Sequence, residues 1–214
     1  MGYVTPEGCL KRAGELYNEG NWQEAVAILH VGLQNRKTKQ NMIILEKLMT
    51  SMIDICSENL SNLHLKEDIG YFRNLCQHQS MPLLEKILKL LRNKAEKVYE
   101  KLEQEFGHDE LKKYISDEQE DADGPTINEQ DCSPEDMIFL AYTSLDHIEK
   151  KQAIQPRANF FLDTCKNILD TLRSNSKLLD FYNDTAKKIF DFCSKYRCKR
   201  EYRRISDTLH SHFK

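Results

Sequence analysis

PRANFFLDTCKNILDTLRSNSKLLDFYNDTAKKIFDFCSKYRCKREYRRISDTLHSHF, residues Pro156 to Phe213, reads as three amphipathic helices with almost no chain between them. Phe161, Cys165, Ile168, Leu169 and Leu172 fall at i, i+4, i+7, i+8 and i+11, one face of a 3.6-residue period. Asn175-Ser176 interrupts the run, because both side chains hydrogen-bond local backbone more readily than they extend a helix. Leu178, Leu179, Tyr182, Ala186, Ile189, Phe190 and Cys193 make a second stripe, too dense for a lone surface helix. Glu201 to His212 is the third helix, with Tyr202, Ile205, Leu209 and Phe213 predicted inward. Its other face carries Lys199, Arg200, Arg203 and Arg204. An apolar side that packs and a basic side that does not describe a stacked helical protein that meets something acidic.

Composition agrees with an all-α chain. The 214 residues can bury one sizeable core or an elongated array of helix pairs, and 40% hydrophobic with 30% charged residues and only eight Gly and five Pro leaves few turn signals. No run of alternating β-branched residues is flanked by tight-turn dipeptides. A net charge of −3 gives no global pull toward nucleic acid, so any electrostatic attraction is local. The apolar runs are far short of the ~20 residues of a membrane span, and no apolar segment of a secretory signal follows Met1-Gly2-Tyr3. Seven cysteines, an odd number scattered on helical periods, fit reduced thiols rather than a disulfide frame, and a cytoplasmic protein.

From the beginning of the chain, Thr5-Pro6-Glu7 supplies a cap, a first-turn proline and an acid at the positive helix end. Leu10, Ala13, Gly14 and Tyr17 line one face, and Gly20-Asn21-Trp22 turns the chain into a second helix with Val26, Leu29 and Leu33. The pair is similar to a tetratricopeptide hairpin, in which small residues let antiparallel helices approach. Arg36, Lys37 and Lys39 mark a short basic connector. Helices are predicted over Ile43–Leu60, Leu65–Gln79 and Leu83–Phe106, the last decorated by lysines including Lys86 and Lys89 and ended by Gly107 as a left-handed cap. Ser116 to Gln130 is acidic and poor in large apolar residues, which predicts a flexible loop that either links or mimics phosphate. Ser133-Pro134-Glu135-Asp136 opens another helix, and Gln152 to Pro156 is expected to be a second loop.

Leu172-Arg173-Ser174-Asn175-Ser176, Tyr182, Ala186, Phe190-Asp191-Phe192-Cys193, Tyr196-Arg197 and Glu201-Tyr202-Arg203-Arg204, followed by Leu209 and His212, together resemble the family of the largest subunit of eukaryotic translation initiation factor 3. So do Leu10-Lys11-Arg12-Ala13 and Tyr71-Phe72-Arg73-Asn74-Leu75-Cys76-Gln77. The resemblance runs from Leu10 to Phe213 and is weakest between Gly107 and Cys132. It implies an all-α, right-handed helical-repeat solenoid of TPR-like/PCI type with about nine to ten helices and no significant sheet. The expected organisation is helical repeats over 1–106, an acidic flexible loop over 107–132, and repeats over 133–214 leading toward a PCI module that this chain does not contain. The resemblance further implies a scaffold on the small ribosomal subunit near the mRNA exit that supports mRNA recruitment. Its partners would be other subunits of initiation factor 3, the c subunit foremost, with a small-subunit ribosomal protein and mRNA or rRNA. The same helical grammar serves PCI scaffolds of the proteasome lid and COP9 signalosome, and TPR-like peptide adaptors.

No pattern of enzyme chemistry stands out: there is no Gly-rich phosphate loop, Gly-x-Ser-x-Gly, His-Glu-x-x-His or calcium loop. Cys193, Cys198, His210 and His212 lack metal-ligand spacing, and Cys165 and Cys193 lie on apolar stripes where a thiol behaves as a small hydrophobe. A non-enzyme without a cofactor or metal is expected. The candidate contact residues are Lys195, Arg197, Lys199, Arg200, Arg203 and Arg204, six cations within ten positions, with Arg36, Lys37, Lys39, Lys86 and Lys89 as secondary candidates. Guanidinium forks suit phosphate. The competing expectation is that these cations pair with Asp180, Asp184 and Asp191.

Overall fold

Thr5 starts the first helix as its neighbours dictate: its hydroxyl accepts the Gly8 N–H at 3.2 Å, Pro6 fills the first turn, and Glu7 meets the positive end of the dipole. This computed structural model describes residues 5–116, 134–173 and 175–212. They form α1 (Pro6–Asn18), α2 (Trp22–Gln34), a 3-10 turn (Thr38–Gln40), α3 (Met42–Glu58), α4 (Leu65–Gln79) and α5 (Met81–Glu105). Then follow α6 (His108–Ile115), α7 (Pro134–Leu172), a second 3-10 turn (Ser176–Leu178), α8 (Leu179–Lys195) and α9 (Lys199–His212). No strand occurs among the described residues, and the all-α helical-repeat class is the one expected. The acidic stretch after Ser116, the Ser133 cap and Phe213 lie outside the described residues.

The first hairpin shows how small residues set the packing. Gly20 adopts φ +87°, so the Asn21 N–H reaches the Leu16 carbonyl at 2.9 Å and closes α1. A Cβ on Gly32 would lie 2.9 Å from Cys9 Cβ, whereas Gly14 faces open space. The close approach of α1 to α2 is therefore at Cys9 and Gly32. The buried face of α1 is Pro6, Cys9, Ala13 and Leu16: of the predicted Leu10, Ala13, Gly14 and Tyr17, Ala13 is buried, while the other three stand one position beyond the buried Cys9, Ala13 and Leu16. Tyr17 is instead only half-buried and donates its hydroxyl to Glu58 at the end of α3. Helix α3 packs against α1, α2 and α4, with Leu45, Leu48, Met49, Met52, Ile53 and Cys56 buried, so that its Met49 and Met52 are core.

Two compact units divide the chain: residues 1–99 with 160–186, and residues 100–159 with 187–214. In the first, Phe72, Cys76, Leu84, Ile87, Leu88 and Leu91 join Phe161, Cys165, Ile168 and Tyr182 in burial. Arg92 holds Asp184 at 2.6 Å while its guanidinium lies 4.5 Å from the Phe181 ring centre. In the second, Leu102, Leu111, Ile154, Phe192, Cys193, Tyr196 and Ile205 are buried. Glu103 accepts from both Lys195 and Tyr196 Oη, the latter at 2.8 Å. In the same unit α7 leaves Ile138, Tyr142, Leu145 and Ile148 exposed at helical spacing.

Four local expectations are corrected. Gln152 to Pro156 is not a loop: α7 runs through it with Pro156 inside the helix. Proline denies the Gln152 carbonyl its helical donor, at a cost of ~3 kcal/mol. However, Ile154, Ala158, Phe161, Cys165, Ile168 and Leu172 form one buried stripe across it. Burying each large member stabilises by roughly 1.5–3 kcal/mol, and the stripe wins. Gly107 has φ −65° and ψ 160°; it is the extended cap that starts α6, not a left-handed end of α5. Residues 108–115, predicted as the start of the acidic loop, are α6, anchored by buried Leu111 and Tyr114 one turn apart. Finally, Tyr202 and Leu179, predicted inward, are 46% and 42% exposed.

Candidate anion-binding surface

Helix α8 ends in a six-residue closure whose geometry builds the site. The Cys198 N–H reaches back to the Cys193 carbonyl at 2.9 Å, and Arg197 between them takes φ +56°, a place usually left to glycine. The sharp turn lets α9 start at Lys199, soon after the end of α8. Between the two helices lies a hollow of about 420 Å³ lined by Cys193, Ser194, Arg197, Cys198, Lys199, Tyr202 and Arg203. Cys193 and Cys198 are buried, while Arg197, Lys199 and Arg203 are exposed. Tyr202 stands on the rim, its ring 4.8 Å from that of Phe190. Three cations of a planar or ammonium type, a hydroxyl and a half-exposed aromatic ring are a set that suits a phosphate flanked by a stackable base. The backbone N–H groups of the first turn of α9 add positive potential, opposed by Glu201 in the same turn.

The other terminal cations do not line the hollow. Lys195 pairs with Glu103, and this hydrogen bond is the main reason its ammonium pKa is raised. Arg204 pairs with Glu201 at 3.3 Å along α9, and Arg200 is exposed beside the hollow without lining it. Asp184, one of the acids expected to neutralise the cluster, is taken by Arg92. The structure thus brings Arg197, Lys199 and Arg203 together and sets Lys195 aside.

The secondary candidates separate into two kinds. Arg36, Lys37 and Lys39 are placed on the turn between α2 and α3. That turn is pinned by Thr38, which is fully buried and donates its hydroxyl to the Gly32 carbonyl at 2.7 Å. Lys39 lies 5.6 Å from the Tyr71 ring centre. On α5, Lys86 pairs with Glu46 and Lys89 with Glu85, both at 2.6 Å, and Lys94 pairs with Asp54 at 2.8 Å. Those lysines form a charge-balanced face.

Tyr202 and Ser194 were not legible as site residues, since their place on the rim follows from the angle between two helices. Cys193 and Cys198 floor the hollow, and His210 is exposed. The described residues do place His30, His64 and Glu67 so that one ligand atom from each lies within 4.8 Å of the others. Sequence spacing missed this grouping because its members come from α2 and from the head of α4.

The chain matches the family described as eIF3a, PCI domain, TPR-like region over residues 7–214. It is 29% identical over 220 residues to the eIF3a protein of eukaryotic translation initiation factor 3 in Arabidopsis thaliana. It is 28% identical over 213 residues to the corresponding protein of Nicotiana tabacum, and 26% over 217 residues to that of Aspergillus oryzae. Each match covers 98% of this chain and 20 or 21% of the relative. The chain therefore spans about a fifth of the length of these curated relatives.

Proposed function

Because this chain belongs to the eIF3a family, matching its PCI-domain, TPR-like region, we propose that it is a non-catalytic scaffold of eukaryotic translation initiation factor 3, acting in the cytoplasm. Its task in this reading is to help place the factor on the small ribosomal subunit near the mRNA exit and so support mRNA recruitment. The observation that carries the ribosome contact is the hollow between α8 and α9, where Arg197, Lys199 and Arg203 converge beside Tyr202. Backbone phosphate of rRNA or mRNA is the chemistry these groups recognise, and the binding is sequence-independent and salt-sensitive. No helix among the described residues is long and apolar enough to cross a membrane.

A second surface fits a protein partner. Ile138, Tyr142, Leu145 and Ile148 offer an apolar stripe on α7, and another component of the factor, its c subunit foremost, is the proposed occupant.

Co-sedimentation with small ribosomal subunits tests the first contact. Near physiological salt the chain is expected in the pellet, and an Arg197→Glu, Lys199→Glu, Arg203→Glu variant of unchanged helicity is expected to lose at least tenfold in affinity. Undiminished binding of that variant would remove the contact from the α8–α9 hollow. For the second surface, capture of the recombinant c subunit should be lost in a Tyr142→Glu, Leu145→Glu variant that still sediments with ribosomes.

A further inference from the structure

His30 of α2 and His64, the residue before α4, stack their imidazoles with centroids 4.2 Å apart and planes 21° from parallel. Behind them the Asp68 side chain has no exposed surface, and its Oδ1 lies 2.7 Å from His30 Nδ1. The second oxygen, Oδ2, is buried without a hydrogen-bond partner. A carboxylate in that position holds the ring proton on Nδ1 and leaves the Nε2 lone pair available. In front of the ring, the Gln34 amide nitrogen serves two acceptors at once, His30 Nε2 at 3.0 Å and Glu67 Oε1 at 3.4 Å. Two lone pairs from different helices are thus aimed at one electropositive atom.

We propose that this cluster is a divalent transition-metal site: His30 and His64 supply imidazole nitrogens, Glu67 a carboxylate oxygen, and a water completes a tetrahedron. Asp68 is the positioning residue behind His30, and metal takes the place of the Gln34 amide. Two imidazoles and one carboxylate suit zinc, whereas calcium and magnesium call for oxygen donors. Ligand atoms around tetrahedral zinc stand about 3.3 Å apart for bonds of ~2.0–2.1 Å, against the 4.8 Å limit seen here. The remaining closure falls to His64, half-buried, and Glu67, exposed, at the surface end of the cluster: His64 turns out of its stack on His30, because a metal in the plane of one imidazole cannot lie in the plane of a ring stacked parallel to it, and Glu67 swings inward. Burial lifts the Asp68 carboxyl above its ordinary value while the His30 hydrogen bond pulls it down; a cation on the far side of the ring strengthens the second effect.

The proposal is independent of the ribosome contact and is tested on the full 214-residue chain. Cobalt(II) is titrated as a coloured probe, followed by displacement with zinc. One saturable equivalent with the visible absorption of a four-coordinate nitrogen–oxygen site, displaced by zinc, is the expected result. His64→Ala and Glu67→Ala, both at the accessible end, are each expected to weaken binding at least tenfold with helicity unchanged. Asp68→Asn should weaken it by about 10–100-fold without altering the spectrum, and Gln34→Ala should tighten it by removing the competing donor. No saturation up to millimolar metal overturns the site. So does near-ultraviolet thiolate-to-cobalt absorption that persists in His64→Ala, which would assign the metal to cysteines.

Discussion

Arg197 occupies a left-handed conformation at φ +56° that any side chain with a Cβ adopts at a cost of roughly 1–2 kcal/mol. Leu60 does the same at φ 51°, closing α3 through the Ser61 N–H and the Cys56 carbonyl. Glycine is the ordinary residue for such an end, and Gly20 shows it at α1. Retaining arginine at 197 puts a guanidinium into the α8–α9 hollow at the expense of stability. Arg197→Gly is therefore expected to raise stability by about 0.5–1 kcal/mol and to weaken RNA or ribosome binding. Thermal unfolding and co-sedimentation read the two signs; stabilisation without loss of binding would leave Arg197 no part in the contact. Cysteine gives a second residue-scale expectation. Burial pushes the thiols of Cys56 and Cys76 from 9.0 up to about 12, with Asp68 adding to the effect at Cys56. Between these values the unfolded chain releases protons that the folded chain retains, so stability is full below pH 9 and falls as pH rises toward 12. Urea midpoints across that range, compared with a Cys56→Ala, Cys76→Ala variant of shallower slope, check it.

Whole elements follow from the balance between local signals and burial. The helix ends at Thr5 and Asn175 were readable because a side-chain oxygen next to a backbone N–H acts within a few residues, and Asn175 does accept the Lys177 N–H at 3.1 Å. Pro156 is the opposite case. Its local penalty argues for a break, but the buried stripe from Ile154 to Leu172 continues across it. Pro156→Ala restores a hydrogen bond within α7 at an exposed position. It should stabilise the chain by about 1–3 kcal/mol, seen as a higher urea midpoint. An unchanged midpoint would mean that the proline is already compensated. Helix α6 escaped a periodicity reading because only Leu111 and Tyr114 anchor it, and a pattern of two is too short to show a period.

At the scale of the molecule, a net charge of −3 says little about partners, because what matters is where cations gather at the solvent surface. Lys86 and Lys89 pair with Glu46 and Glu85 away from the hollow that Arg197, Lys199 and Arg203 line. The logarithm of ribosome affinity should accordingly fall with the logarithm of salt, with a slope reduced by roughly 0.7–0.9 for each phosphate contact removed with an arginine of α9. Changing Lys86 and Lys89 to Gln should leave that slope as it was. Sequence by itself determined the helical class, most helix faces and ends, the family, and the stretch that carries the basic cluster. Each of these rests on interactions between residues a few positions apart, or on a pattern repeated along the chain. Tertiary structure alone decided that Lys86 and Lys195 are held by acids of other segments, that α7 runs through Pro156, and that Tyr202 stands on a rim. It alone brought His30, His64, Glu67 and Asp68 together. These depend on side chains from separate helices meeting at distances of a few ångströms, and no spacing within one helix encodes the angle at which another is packed against it.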